Sequence, residues 1–137
     1  MMPHVLVYGT LRRGGHNDIA RYKPLPVWIG EASIAGTLYD LGAYPGLVLG
    51  GTTRVKGEVY AIEPSVEAAL DVLEEVADDD SGEYIKRRVQ VEVGGRLLDC
   101  LVYEIHPSRI VGRSTVDSGD WIAHAAGGGA AFSQPKD

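Results

Sequence analysis

Val5-Leu6-Val7-Tyr8-Gly9-Thr10-Leu11-Arg12-Arg13-Gly14-Gly15-His16-Asn17 changes character at Gly9. Its opening four residues form a continuous β-favouring run, which predicts a strand buried on both faces. The glycines and polar residues that follow predict a loop, with Arg12 and Arg13 in its solvated part. A strand that runs into a glycine turn presents backbone amides at its end, because glycine lets other groups approach the main chain closely.

Outward from this stretch the chain reads mostly as strand. Segments 28–39, 47–48, 54–62, 84–93 and 96–105 are β-favouring and are mostly separated by glycine or proline. Within 84–93, Val89, Val91 and Val93 alternate with Arg88, Gln90 and Glu92, and Gly94-Gly95 leads into the next segment. That pattern predicts a half-buried antiparallel hairpin with a two-residue turn. Cys100 falls inside its second strand, so burial is its expected fate, and a lone cysteine makes neither an internal disulfide nor a multi-cysteine zinc site.

One helix is legible, from Pro64 to Val76, with proline in its first turn and Glu67 where the helix dipole favours an acid. Its apolar stripe is Val66, Ala69, Leu70, Leu73 and Val76. At about 100° per residue, Asp71 and Glu75 fall on the solvent side and Glu74 at the margin of the stripe, about 40° from Leu70. On pattern alone Glu74 reads either as a solvated helix-edge glutamate or as a group facing a cavity beside the core.

Composition narrows the function classes. The 137 residues suit one domain, and 45% hydrophobic with 23% charged residues argues against a disordered chain. A net charge of −6 supplies no basic footprint for nucleic acid or an anionic membrane, so neither is an expected partner. Signal-peptide and membrane-spanning patterns are missing, and cytoplasmic residence is the default expectation. The domain is expected to cover 1–124, followed by a flexible tail at 125–137 that contains Gly127-Gly128-Gly129.

Phosphate-loop, dinucleotide-fingerprint, His-Glu-x-x-His and Gly-x-Ser-x-Gly patterns are absent from the sequence. The four histidines lack metal-ligand spacing, and Asp78-Asp79-Asp80-Ser81-Gly82-Glu83 fails as a calcium loop because Glu83 and Val89 occupy the positions that need glycine and a closing acid. No metal or other cofactor is expected.

Tyr8-Gly9-Thr10-Leu11-Arg12 after the first strand, Leu70-Asp71-Val72-Leu73-Glu74 in the helix and Tyr84 beyond the acidic loop together resemble the γ-glutamyl cyclotransferase-like family, which includes AIG2-like proteins and γ-glutamylamine cyclotransferases. Gly36-Thr37-Leu38-Tyr39-Asp40, Tyr44-Pro45-Gly46-Leu47 and Ser118-Gly119-Asp120-Trp121 agree in the same order, so the resemblance covers about Val5 to Trp121. It implies an α+β fold, a compact, largely antiparallel β-barrel with flanking helices around one cavity. It also implies cyclisation of a small-molecule γ-glutamyl substrate to 5-oxoproline. In that reading Glu74 is the acid/base, the main-chain amides of Tyr8 to Leu11 (Tyr8, Gly9, Thr10, Leu11) hold the substrate's polar end, and Tyr84 lines the pocket. Three positions depart from the family's pattern: Glu75 stands where a glycine often follows the glutamate, Lys86 stands near a usual arginine, and the loop from Glu74 to Tyr84 is long. They bear on the leaving group, since that loop borders its expected site. The alternative on the same fold is a non-catalytic module that binds γ-glutamyl or amino-acid-like ligands.

Overall fold

The computed structural model describes residues 2–76 and 82–126. Six strands, β1 (His4–Val7), β2 (Val27–Asp40), β3 (Pro45–Ala61), β4 (Tyr84–Val93), β5 (Arg96–Ile105) and β6 (Ser114–Thr115), form one mixed sheet in the order β4-β5-β1-β3-β2-β6. Among the described residues two α-helices, α1 (Pro64–Leu73) and α2 (Trp121–Ala126), accompany it. Every pairing is antiparallel except β1 with β5, which puts the first strand between its neighbours in the middle of the sheet. The sheet curls until β2 meets β4: a Cβ added at Gly30 would lie 2.7 Å from a Val93 methyl. The result is the curled, barrel-like α+β architecture expected.

Burial on both faces of β1 has a direct physical form. Leu6 joins a core cluster with Ile34, Leu38, Val91 and Trp121, while Val5 and Val7 join another with Val66 and Leu70 of α1. With side chains alternating across the strand, one apolar run therefore serves two core layers. Each buried valine or leucine contributes on the order of 1.5–3 kcal/mol through the water it sheds.

Segments 47–48 and 54–62, separate in the sequence reading, belong to one strand. Pairing with β2 continues from Ala35↔Arg54 to Gly36↔Leu49, so residues 50–53 are looped out of the ladder. Gly50 and Gly51 adopt φ of +102° and +90°, and these two residues produce an excursion rather than a chain reversal. The hairpin of β4 and β5 pairs Val93 with Arg96 around Gly94-Gly95, as expected. Cys100 is buried and free.

The α1 helix ends three residues earlier than its apolar stripe suggests. Glu74 is the C-cap, its amide donating to Leu70 O; Glu75 N–H bonds Val72 O at 3.1 Å and Val76 N–H bonds Asp71 O at 3.0 Å. These two bonds are the Schellman closure, which requires a left-handed residue between them, and Glu75 has φ +54°. The departure at Glu75 therefore puts an L-residue with a Cβ where glycine is the unstrained choice. Glu75→Gly is expected to raise stability by about 0.5–1 kcal/mol, measured as a shift of the urea midpoint at unchanged m-value.

β6 and α2 were not legible in the sequence. α2 includes Ala125 and Ala126 of the segment read as tail; 127–137 and most of the acidic loop, 77–81, lie outside the described residues. No helix among the described residues is long and apolar enough to cross a membrane.

Candidate active site

The chain leaves β1 through Tyr8, which is buried, and its phenol is fixed from two sides. The hydroxyl donates to Tyr103 O at 2.6 Å and accepts from Leu47 N–H at 3.2 Å. Beyond it the glycine turn closes on itself: Arg12 N–H bonds Gly9 O, Asn17 N–H bonds Thr10 O at 2.8 Å, and Ile19 N–H bonds Leu11 O at 2.9 Å. The carbonyls of Gly9, Thr10 and Leu11 are thus occupied. Among the described residues, the amides of Thr10 and Leu11 donate to no protein acceptor. Gly9 backs directly onto Pro45, whose ring carbons would lie 2.6 and 2.9 Å from an added Cβ. Gly9→Ala is expected to displace this wall and cost about 1–3 kcal/mol, seen as a lower thermal unfolding temperature.

A cavity opens at this end of β1. Its wall contains Tyr8, Gly9, Thr10 and Leu11 from the loop, Leu73 and Glu74 from the end of α1, and Tyr84 and Tyr103 from β4 and β5. Tyr44, Pro45, Asn17, Leu6 and Val7 line it as well. All six residues singled out in the sequence, Tyr8, Gly9, Thr10, Leu11, Glu74 and Tyr84, therefore border one space. Glu74 reaches it because the helix stops at this residue with its side chain at the stripe's margin.

The phenols are held by protein acceptors. Tyr84 donates to Pro45 O at 2.6 Å, Tyr103 to Asp71 Oδ1 at 2.7 Å, and Tyr44 to Glu83 Oε2. Burial first, and then the Glu74 charge, push the Tyr8 hydroxyl well above its ordinary pKa; burial, Tyr8 and then Glu74 do the same to Tyr84. Burial and the bond to Glu83 raise Tyr44 to about 12, and burial with the bond to Asp71 raises Tyr103 further. Near neutrality these phenols are therefore proton donors in hydrogen bonds and not bases. Among the described residues of the wall, Glu74 is the carboxylate.

Two expectations need correcting. Arg12 is not solvated: it is 6% exposed, with Nε 3.2 Å from Glu58 Oε2 and Nη1 2.8 Å from Asp120 Oδ1. A guanidinium here finds two carboxylates contributed by distant elements, an arrangement invisible to local polarity. Arg13 does remain exposed and lies over the Trp28 ring, 4.1 Å from its centroid. Asp71, read as solvent-facing, bonds both Tyr103 and Lys86, and Lys86 also meets Glu67 at 2.6 Å. The departure at Lys86 thus places an ammonium against α1, outside the cavity wall.

Asn17, Tyr44 and Tyr103 line the cavity without having been singled out. Tyr44-Pro45 was visible only as part of the resemblance, and nothing in the local pattern of Tyr103 distinguished it from a core strand residue. Among the described residues no cluster of three or more His, Cys, Asp or Glu is arranged to hold a metal ion.

Known proteins share this fold. Residues 5–123 match the family described as Gamma-glutamyl cyclotransferase, AIG2-like. YtfP of Escherichia coli, a gamma-glutamylcyclotransferase family protein, is 33% identical over 125 residues, covering 86% of this chain and 95% of that one. The solution structure of that protein superposes with a TM-score of 0.61 at 33% identity, over 87% of this chain and 96% of its own. The gamma-L-glutamyl-butirosin B gamma-glutamyl cyclotransferase of Niallia circulans is 37% identical over 94 residues, 67% of this chain and 58% of that protein. The crystal structure of an AIG2-like protein from Mus musculus shares the fold, with a TM-score of 0.74 at 24% identity over 99% of this chain and 97% of its own. The strand-to-glycine-loop entry, the curled sheet and the match over nearly its whole described length all lead to the same place: the chain belongs to the AIG2-like γ-glutamyl cyclotransferase family.

Proposed function

We propose that the protein is a γ-glutamyl cyclotransferase in which Glu74 transfers protons and the loop amides of Thr10 and Leu11 hold the substrate's polar end. The observation that carries this reading is that the Glu74 carboxylate and the uncommitted Thr10 and Leu11 amides border one cavity, among phenols that stay protonated.

The substrate's own α-nitrogen attacks its γ-carbonyl carbon, forming the C–N bond of a five-membered lactam and breaking the bond to the leaving nitrogen. A free α-amine has a pKa of about 8, so a base must first remove a proton from it. Glu74 takes that proton and returns it to the departing nitrogen. The α-nitrogen loses two protons in becoming a lactam N–H, and the leaving nitrogen gains two in becoming an ammonium, so the reaction is proton-neutral. Backbone donors aimed at a substrate carboxylate or the developing oxyanion act without reorganising. Holding the chain folded toward ring closure supplies entropy otherwise lost in reaching the transition state.

The test is incubation with a panel of γ-glutamyl dipeptides and γ-glutamylamines, following 5-oxoproline by mass spectrometry. Product formation, with its preferred leaving group, establishes the reaction and substrate class. Saturable binding of panel members without product would instead establish the ligand-binding alternative.

A further inference from the structure

We infer that Arg12 is the positioning residue of the glycine loop: its guanidinium, clamped between Glu58 and Asp120, determines where the Thr10 and Leu11 amides point. The kinetic consequence rests on the cyclotransferase reading; the structural consequence rests on geometry alone.

The loop's other restraints are its own backbone bonds and the buried Leu11 side chain. Gly9, Gly14 and Gly15 contribute no side chains, and Thr10 is only partly buried. Arg12, next after the two amides, is the most deeply anchored charged side chain of this segment. Its planar fork reaches in two directions: Nε to Glu58 on β3 and Nη1 to Asp120 at the start of α2. Both partners are themselves fixed. The other Glu58 oxygen accepts Arg13 N–H at 2.7 Å and Tyr60 OH at 3.0 Å, so the side chain of Arg12 and the peptide that follows it share one carboxylate. Asp120 Oδ1 also accepts Ala123 N–H at 3.1 Å, which couples the loop to the first turn of α2. Burial opposes the Asp120 charge, but the Ala123 amide and the Arg12 guanidinium outweigh it and hold the carboxyl below its ordinary pKa. It is therefore ionised at neutral pH.

A lysine at position 12 keeps the charge but offers one ammonium in place of a rigid fork, and it cannot reproduce two divergent bonds. This separates a positioning role from simple charge neutralisation.

The experiment compares wild type, Arg12→Lys, Asp120→Asn and a core control, Val91→Ala, which weakens packing outside the cavity wall. Amide hydrogen exchange of Asn17 and Ile19, whose N–H groups bond the Thr10 and Leu11 carbonyls, reports loop order directly. Turnover of the best γ-glutamyl substrate, well below each variant's melting temperature, reports aim. Arg12→Lys is expected to speed exchange at both amides by about tenfold or more and to lower kcat/KM by about 10- to 100-fold. Val91→Ala is expected to lower the melting temperature with kcat/KM within about twofold. Unchanged exchange in Arg12→Lys overturns the inference whether or not the wild type turns over. Faster exchange with unchanged kcat/KM overturns its kinetic half. A wild type without turnover defeats the cyclotransferase reading instead, and exchange then decides the structural claim by itself. If Arg12→Lys does not fold, the milder Asp120→Asn carries the same comparison.

Discussion

Glu74→Gln is expected to lower 5-oxoproline release by about 10²- to 10⁴-fold while leaving the thermal unfolding transition nearly in place. The replacement preserves size while exchanging one acceptor oxygen for an amide NH2, and it removes the charge together with the ability to carry a proton. Glu74 sits at the helix C-cap, where its backbone amide, not its side chain, closes the last turn by bonding Leu70 O. The helix therefore ends in the same way in the variant. In the proposed mechanism what disappears is a base for the substrate's ammonium, and the surrounding phenols cannot replace it, because burial and nearby carboxylates hold Tyr8, Tyr44, Tyr84 and Tyr103 protonated. Steady-state kinetics beside a melting curve decides the matter. Near-wild-type turnover in the variant would remove Glu74 from the mechanism while leaving the fold and family untouched.

Glu58→Ala is expected to cost about 3–5 kcal/mol, a large share of the roughly 5–15 kcal/mol that a domain of this size possesses. The carboxylate is 4% exposed and serves three donors: Arg12 Nε, the Arg13 amide and the Tyr60 hydroxyl. Truncation leaves a buried guanidinium with half its compensation and leaves two further donors short of an acceptor, each a desolvation penalty that nothing returns. With a urea m-value of about 1–3 kcal/mol/M, the midpoint is expected to fall by more than about 1 M. Glu58→Gln keeps an acceptor for the Arg13 amide and is expected to lose less. A loss below about 1 kcal/mol in Glu58→Ala would mean that the ion cluster does not hold the loop, and that apolar packing around Leu11 and Ile19 does.

Glu74 and Arg12 show how differently parts of the site could be read in advance. Glu74 was legible because its position depends on helical periodicity, a local property, and because the residues around it resemble a known family. Arg12 lay within the same resemblance, yet the loop chemistry around it pointed to solvent. Its burial comes from Glu58, 46 residues away, and Asp120, 108 residues away. Asp71 followed the same course: a solvent-side angle on the helix became a half-buried acceptor once β4 and β5 brought Lys86 and Tyr103 against it.

By itself the sequence determined the elements whose signals are short-range. The doubly buried first strand, the valine-alternating hairpin turning at Gly94-Gly95, the helix beginning at Pro64 and the glycine loop after Tyr8 all follow from side-chain periodicity and turn chemistry acting over a few residues. Only the tertiary structure decided the rest. A two-residue strand such as β6 and a six-residue helix such as α2 are too short to form on propensity and exist because neighbours pair with or pack on them. The continuity of β3 past Gly50-Gly51 depends on β2 lying alongside. The arrangement of the cavity, with Tyr44 and Tyr103 joining Glu74 and the Thr10 and Leu11 amides, required the sheet to curl, because these groups come from four separate stretches of chain that meet only when non-local pairing brings them together.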